Sequence, residues 1–239
     1  MTDLGTLEAA NGGRLLVDDP VTGGGTALVK GGTIDFAAAA DISQITFNNG
    51  SGTAYGEVIF NDPNGLDVTV NDFAGTRSNL AHSDGIELTG TWTVGSETVC
   101  GSNVTLELKN GCETAAFNFD DFNGLLQITT VNGNTLITDP AVSTASSHPS
   151  VSIGGPGDDT FLFHPGEGAE TINNFNPRAN TIELDHFANV QSAQALAAAV
   201  TIDAHSDAVL ELGHGDSVAI PGMSGTYLQQ HLTSLVHLH

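Results

Sequence analysis

Short runs of apolar and β-branched residues, separated by Gly, Asn, Asp and Ser, fill residues 1 to about 141. Apolar and polar positions alternate in most runs, which is typical of strands with one buried face. Most runs begin seven to thirteen residues after the previous one. The strands predicted in this way are Arg14–Val17, Thr26–Lys30, Thr33–Phe36, Gln44–Phe47, Glu57–Phe60, Asp67–Val70, Ile86–Leu88, Thr91–Val94, Val104–Lys109, Ala115–Phe119, Leu125–Thr130 and Thr135–Thr138.

This rhythm predicts an all-β fold, because the weak pattern at Ala37–Ala40 is the one helical signal in this part. The segments Leu16–Pro20, Ile59–Pro63 and Ile137–Pro140 resemble one another, since each closes a strand-like run with an Asp-Pro pair. Such self-similarity favours stacked units that bury their apolar faces on each other. We therefore predict a right-handed parallel β-helix, a β-solenoid, over residues 1–141, with a β-sandwich as the alternative.

The second part of the chain has a different pattern. Residues 142–152 are small and polar, which is typical of a linker, so residues 153–239 form a second predicted module. In this module a helix is predicted at Val190–Val200 with Asn189 as its cap, and another at Tyr227–His237 with Thr226 as its cap. Two strands, at residues 208–212 and 217–220, lie between the helices. We expect a short β-roll with one or two helices.

The charge of the chain limits the kinds of partner that we expect it to bind. Five Lys and Arg residues face 28 Asp and Glu residues, for a net charge of −23. Such a chain repels nucleic acid and anionic membranes, whereas cations relieve its self-repulsion. No run of apolar residues is long enough to insert into a membrane. The first residues also lack the basic and apolar regions of a signal peptide, so we expect any export address to lie elsewhere.

The two cysteines, Cys100 and Cys112, flank the predicted strand Val104–Lys109. A fully extended chain between them spans roughly 40 Å, whereas a disulfide needs Cα atoms within about 7 Å. They pair only if the chain folds back sharply. A disulfide, two small buried side chains and two exposed thiols all remain open at this point.

One stretch carries a recognisable chemical pattern. The sequence GGPGDDTFLF at residues 154–163 fits the nonapeptide G-G-x-G-x-D-x-U-x, where U is a large apolar residue. Its glycines allow a tight turn, and the turn aims backbone carbonyls and the Asp159 carboxylate at a hard cation. Phe161 then begins a short strand that points into the roll. The alternative is an ordinary Gly-Asp turn.

Two weaker turns follow. Gly166 and Gly168 precede Glu170 in a similar outline, and Asn180 takes the acidic position of a third turn. Because Asp159, Glu170 and Asn180 are eleven and ten residues apart, we predict that their oxygens stack and face one another. The predicted calcium ligands are Gly154, Gly155, Gly157, Asp159, Gly166, Gly168, Glu170 and Asn180. We expect one or two Ca²⁺ ions, held with micromolar to millimolar affinity.

The nonapeptide resembles the RTX family of calcium-binding proteins, which Gram-negative bacteria secrete. The stretch from Phe161 to Phe187 (FLFHPGEGAETINNFNPRANTIELDHF) is similar to the end-piece of RTX proteins. The following order of helix, two strands and helix resembles the terminal modules of type I secretion substrates, whose uncleaved C-terminal segment is the export address. Stretches scattered over residues 5 to 92 resemble repeats of very large secreted rhizobial proteins that are similar to adhesin and autotransporter stalks.

The resemblance implies a secreted, extracellular or cell-surface calcium-binding protein with a structural or adhesive role and no catalytic residues. Its expected partners are calcium, a type I exporter for a short time, and a surface glycan or host surface. The alternative is a polysaccharide-active β-helix enzyme, such as a lyase or epimerase, or its non-catalytic accessory module. Against an enzyme, five basic residues leave little charge to neutralise a uronate.

Overall fold

The computed structural model describes residues 1–3, 5–48, 55–75, 83–122, 124–139, 150–155 and 157–239. These residues form 21 strands and two helices, so the predicted all-β class is confirmed. The strands are β1 (Thr6–Ala10), β2 (Arg14–Val17), β3 (Val21–Lys30), β4 (Thr33–Phe36), β5 (Ala40–Phe47), β6 (Glu57–Phe60), β7 (Asp67–Asn71), β8 (Gly85–Leu88), β9 (Thr93–Cys100), β10 (Asn103–Asn110), β11 (Glu113–Asp120), β12 (Leu126–Val131), β13 (Asn134–Thr138), β14 (Val151–Ile153), β15 (Thr160–Phe163), β16 (Ala169–Asn173), β17 (Thr181–Leu184), β18 (Val200–Ile202), β19 (Asp207–Gly213), β20 (Asp216–Ser224) and β21 (Val236–Leu238), and the helices are α1 (Ala193–Ala199) and α2 (Gly225–Leu235).

The chain divides into two compact units. The first comprises Met1–Asn123 with Thr130–Asp139, and the second comprises Gly124–Thr129 with Pro140–His239. Most of the predicted linker lies outside the described residues, and its last part forms strand β14. No helix of the described residues is long and apolar enough to cross a membrane.

In the first unit, successive strands from β1 to β8 alternate between two sheets. Strands β1, β3, β5 and β7 pair in parallel in one sheet, and β2, β4, β6 and β8 pair in parallel in the other. Alternate side chains point inward in most of these strands, and the fully buried side chains of this unit include Phe36, Phe47, Phe60 and Phe117. The Phe36 and Phe60 rings stack with centroids 5.3 Å apart.

Later strands of this unit depart from the all-parallel pairing that a β-helix over residues 1–141 requires. Strands β9, β10 and β11 form an antiparallel meander beside β7, and β13 pairs antiparallel with β8. The turns at residues 101–102 and 111–112 are too short for a parallel crossover, so they impose hairpins. The meander places Cys100 and Cys112 at opposite ends of β10, where both thiols are free and exposed.

The second unit also has two sheets around one core. Strands β14, β16 and β20 pair in parallel, while β12 pairs antiparallel with β14, and β18, β19 and β20 form an antiparallel meander. Strands β15, β17 and β21 form a separate parallel sheet. The core between them includes Phe161, Ile172, Ile182 and Leu210.

Both helices of the second unit begin at caps other than the predicted ones. Helix α1 begins after Ser192, whose hydroxyl accepts from the Ala195 N–H at 3.2 Å, and Asn189 instead donates to the Leu212 carbonyl. Helix α2 begins after Ser224 rather than Thr226. Serine hydroxyls satisfy the free N–H groups of a first turn. The weak helical pattern at Ala37–Ala40 was misleading, since those residues lead into β5 without forming a helix.

Candidate metal centre

The consensus turn, residues Gly154–Asp159, lies directly before strand β15. Because Thr160 pairs with Thr181 in parallel register, the residues that precede them, Asp159 and Asn180, occupy matching places in neighbouring turns. Asn180 Nδ2 donates to Asp159 Oδ2 at 3.0 Å, and the Thr181 N–H donates to the Asp159 carbonyl at 2.9 Å. Both side chains are buried, with exposed fractions of 6% and 2%. The fold therefore brings together two of the three predicted acidic-position side chains.

The amide of Asn180 has both its ends engaged. Its Oδ1 accepts from the Asn176 N–H at 2.6 Å, and its Nδ2 also donates to the Gly157 carbonyl at 3.3 Å. The Gly157 carbonyl and the Asp159 carboxylate are the oxygens that the sequence pattern assigns to a cation. An amide NH₂ group thus lies against them.

Gly154 is needed here because of a close approach. Its φ lies outside the left-handed region, contrary to the expectation that its backbone conformation requires glycine. A Cβ atom at this position would lie 2.9 Å from the Asn174 carbonyl and 3.4 Å from both Asn180 Oδ1 and Asp159 Oδ2. Three oxygens thus crowd the space that a Cβ atom would fill. Gly155 is buried in the same turn.

The second turn is held by a residue that the sequence pattern did not single out. Gly166 and Gly168 have φ of +93° and +89°, which glycine adopts without strain. Their N–H groups donate to the two carboxylate oxygens of Asp216, each at 2.9 Å. Asp216 is the first residue of strand β20, the parallel neighbour of β16, and is buried. Its signal in the sequence was the Gly-His-Gly-Asp run that precedes an alternating strand.

Glu167, Glu170 and Asp216 are buried carboxylates whose charges act on one another, and we call this group the acidic turn. Glu170 Oε2 accepts a hydrogen bond from the Ser150 hydroxyl, and Glu167 Oε1 pairs with His164 Nδ1 at 3.1 Å. Glu167 and Glu170 are 2% and 4% exposed. Within the described part of the chain, Glu167 Oε2 and Glu170 Oε1 have no hydrogen-bond partner.

The electrostatics of the acidic turn follow from its burial. Burial raises the pKa of Glu170 to about 8, and the charges of Glu167 and Asp216 add to the rise, whereas the Ser150 hydrogen bond opposes it. Burial also raises the pKa of Glu167, against the opposing effect of His164. A carboxylate buried without a partner is costly, so it takes up a proton or binds a cation. Carboxylate and hydroxyl oxygens are the type of ligand that hard divalent cations such as Ca²⁺ accept, and the acidic turn offers oxygens of this type.

The prediction that Asp159, Glu170 and Asn180 face one another holds for Asp159 and Asn180 and is wrong for Glu170. Asp159 and Asn180 precede strands of the sheet β15-β17-β21, whereas Glu170 lies in β16 of the other sheet beside Ser150. Successive turns alternate between the sheets, so the turn that stacks on Asp159 is the one 21 residues later. The eight predicted ligands are thus divided between two places.

A different acidic group lies on the surface of the second unit. Asp203, His205 and Asp207 have candidate ligand atoms within 4.8 Å of one another. Asp203 Oδ1 already accepts from the backbone N–H groups of His205 and Asp207, at 2.8 and 2.9 Å, which closes the turn before β19. These hydrogen bonds, that of Asp207 foremost, lower the pKa of Asp203. The group is explained as a turn.

Comparison with known proteins identifies no family. No protein-family profile matches the chain, and no curated protein matches it. Among solved structures, the extracellular lipase LipA from Serratia marcescens is similar over 90% of this chain and 37% of its own length, with 14% sequence identity and a TM-score of 0.26. A TM-score this low carries no argument about fold or activity.

Proposed function

We propose that this protein is a secreted, calcium-binding β-rich protein without catalytic activity, whose second unit folds stably only when calcium is bound. The observation that carries the proposal is the acidic turn, where two buried carboxylate oxygens lack partners among the described residues. Calcium would neutralise these carboxylates and reduce the self-repulsion of a chain with a net charge of −23. Because calcium binds the folded state and not the unfolded one, it stabilises the fold by mass action.

A unit that folds only when calcium is bound is compatible with export in an unfolded state. At the low calcium concentration of a cytosol, the acidic second unit would stay loosely folded and could pass through a type I exporter. Outside the cell, calcium would bind and complete the fold. A calcium concentration about 100-fold above the Kd stabilises the folded state by about 2.7 kcal/mol, which is a large share of the stability of a domain.

The first unit would supply the structural or adhesive surface. Seven uncharged polar residues lie in one register across the seven strands β1, β3, β5, β7, β11, β10 and β9, and each is exposed or half-buried. They are Thr6, Thr26, Gln44, Thr69, Asn118, Thr105 and Thr98. At a strand spacing of about 4.8 Å, this row of hydroxyl and amide groups extends for about 29 Å. This row of uncharged hydroxyl and amide groups favours contact with a hydroxylated partner such as a glycan, and a glycan array tests this.

The basic residues do not support the alternative function, a polysaccharide lyase or epimerase. Arg14 pairs with Asp35, Lys30 with Glu8 and Lys109 with Glu107. Three of the five cationic side chains of the protein are therefore already engaged by its own carboxylates. Assays for unsaturated or epimerised uronates in alginate and pectin should accordingly show no turnover, and turnover would contradict the proposal.

The calcium proposal is tested on the full chain by two probes that separate the units. The protein has one tryptophan, Trp92, which is buried in the first unit, so its fluorescence follows that unit alone. Calorimetry follows both units. We expect calcium, compared with a chelator, to raise the Tm of the transition that Trp92 does not follow, and magnesium to have a smaller effect. An unchanged calorimetric profile would overturn the proposal.

Two variants show whether the effect arises at the acidic turn. Because the pKa of Glu170 is raised to about 8, the folded protein without calcium must take up a proton there at neutral pH. Glu170→Gln removes that cost, so it should raise the Tm in chelator and abolish the calcium shift. Glu211→Gln is the matched control, because Glu211 is an exposed glutamate of the same unit, and it should keep the full shift. If Glu170→Gln raises the Tm while calcium never shifts the wild type, Glu170 holds a proton instead of a cation and the proposal fails.

A further inference from the structure

Two of the three turns that the sequence marks as calcium sites, the consensus turn and the acidic turn, differ in the chemistry of their polar groups. The consensus turn matches the full nonapeptide, yet its Asp159 carboxylate and Gly157 carbonyl both accept from the Asn180 amide, at 3.0 and 3.3 Å. A neutral donor therefore lies where the pattern would put a cation. An amide N–H satisfies these oxygens without adding charge.

The amide of Asn180 is held in this orientation. Its oxygen accepts from the Asn176 N–H at 2.6 Å. Rotating the amide by half a turn would set its NH₂ group against that N–H donor and its oxygen against the Asp159 carboxylate. Calcium at the consensus turn would therefore have to replace two hydrogen bonds that the Asn180 amide donates and also separate its oxygen from the Asn176 N–H.

In the acidic turn, by contrast, no hydrogen-bond donor of the described residues contacts two of the carboxylate oxygens. Glu167 and Glu170 are more than nine-tenths buried, and each has an oxygen without a hydrogen-bond partner among the described residues. No amide or basic nitrogen of the described chain satisfies those two oxygens. A divalent cation would bind either of these oxygens without displacing a hydrogen bond from it.

We infer that the two turns have divided roles: the Asn180 amide closes the consensus turn without metal, and calcium binds at Glu167 and Glu170 of the acidic turn. The inference rests on the proposed function, since it names the ligands of the same calcium. The quality of the match to the nonapeptide therefore does not predict calcium binding here, because the turn with the weaker match binds the cation.

The first test is calorimetric titration of the full chain with calcium in three forms. The wild type should bind about one ion at the acidic turn. Asp159→Asn keeps the size of the side chain and an acceptor for Asn180, so it should bind calcium with an affinity within about twofold of the wild type. Glu170→Gln should lose binding. The inference is overturned if Asp159→Asn abolishes binding while Glu170→Gln retains it.

The second test asks whether a substitution at the consensus turn creates an additional calcium site. Asn180→Asp replaces the amide donor by a carboxylate of the same shape and leaves two buried carboxylates beside the Gly157 carbonyl. We expect this variant to be less stable than the wild type in chelator and to bind about one additional calcium ion. Unchanged stoichiometry in a folded Asn180→Asp protein would contradict the inference. If circular dichroism shows that the Asn180→Asp protein is unfolded at every calcium concentration, the inference is judged by the Asp159→Asn titration.

The proposed function and the division of roles between the two turns can be contradicted independently of each other. A wild type that binds no calcium overturns the proposed function. In that case an Asn180→Asp protein that binds calcium still supports the part assigned to the Asn180 amide. A wild type that binds calcium through Asp159 overturns the inference and leaves the proposed function intact.

Discussion

Asn180 donates its side-chain amide to the carboxylate of Asp159 at 3.0 Å, and both side chains are buried. The two residues are 21 positions apart and meet because the strands that follow them are parallel neighbours in register. This hydrogen bond joins two turns of the second unit through their side chains.

Replacing Asp159 by alanine should therefore destabilise the second unit even in chelator. The buried Asn180 amide would lose its carboxylate acceptor, at a cost of about 1–3 kcal/mol. Urea unfolding of the full chain, followed by circular dichroism, measures the loss. The neighbouring exposed residue provides the control, since Asp158→Ala should change stability by less than about 0.5 kcal/mol. Equal effects of the two substitutions would show that the hydrogen bond does not contribute.

Gly154→Ala should destabilise the same turn by steric contact. The new Cβ atom would lie 2.9 Å from the Asn174 carbonyl, which belongs to the backbone and cannot move aside easily. We expect a cost of about 1–3 kcal/mol, as for other overpacked sites. Gly5→Ala is the comparison, because a Cβ atom there meets Asp3 Oδ1 at an ordinary 3.5 Å. A Tm of Gly154→Ala equal to that of the wild type would refute the close approach.

The first unit should lose stability as the pH rises, because of Glu57. Burial raises the pKa of Glu57, and the charges of Glu87 and Asp35 add to this, while Arg14 opposes it. Since the pKa is higher in the folded state, the folded protein holds a proton that the unfolded protein has released. Stability therefore falls as the pH rises from the ordinary glutamate pKa of about 4.3 through the raised value.

Glu57→Gln should remove this part of the pH dependence. The measurement is the urea midpoint from Trp92 fluorescence at several pH values, compared between the wild type and the variant. Glu113→Gln, an exposed glutamate of the same unit, should leave the slope unchanged. A wild-type midpoint that rises over the same pH range, and that Glu57→Gln does not alter, would contradict the prediction.

Cys100 and Cys112 should both react as free thiols in the native protein. Each is exposed at a turn, and the full length of β10 separates them. A chromogenic disulfide reagent should therefore titrate both thiols without denaturant and without prior reduction. A native protein that shows free thiols only after reduction would mean that the cysteines are paired.

Much of the secondary structure follows from the sequence, because alternation and turn residues are local signals. Strands β2, β4 and β6 begin and end where the pattern predicted, since each has an apolar core position on alternate residues and a polar turn on both sides. Strand β1 was missed because its run, Thr6–Ala10, includes two alanines and a glutamate and has weak β-propensity. The helix caps were misplaced by a few residues because Ser192 and Ser224 compete with Asn189 and Thr226 for the same role.

The sequence by itself determined the all-β class, the place of most strands, the acidity of the chain and the two turns whose oxygens are candidate ligands. Only the tertiary structure decided which oxygens meet. The register of β15 with β17 brings Asn180 to Asp159, and the pairing of β16 with β20 brings Asp216 to Gly166 across 50 residues. The physical reason is that hydrogen-bonded neighbours and burial depend on which distant strands pair. A match to a turn pattern cannot show whether an amide already satisfies its carboxylate.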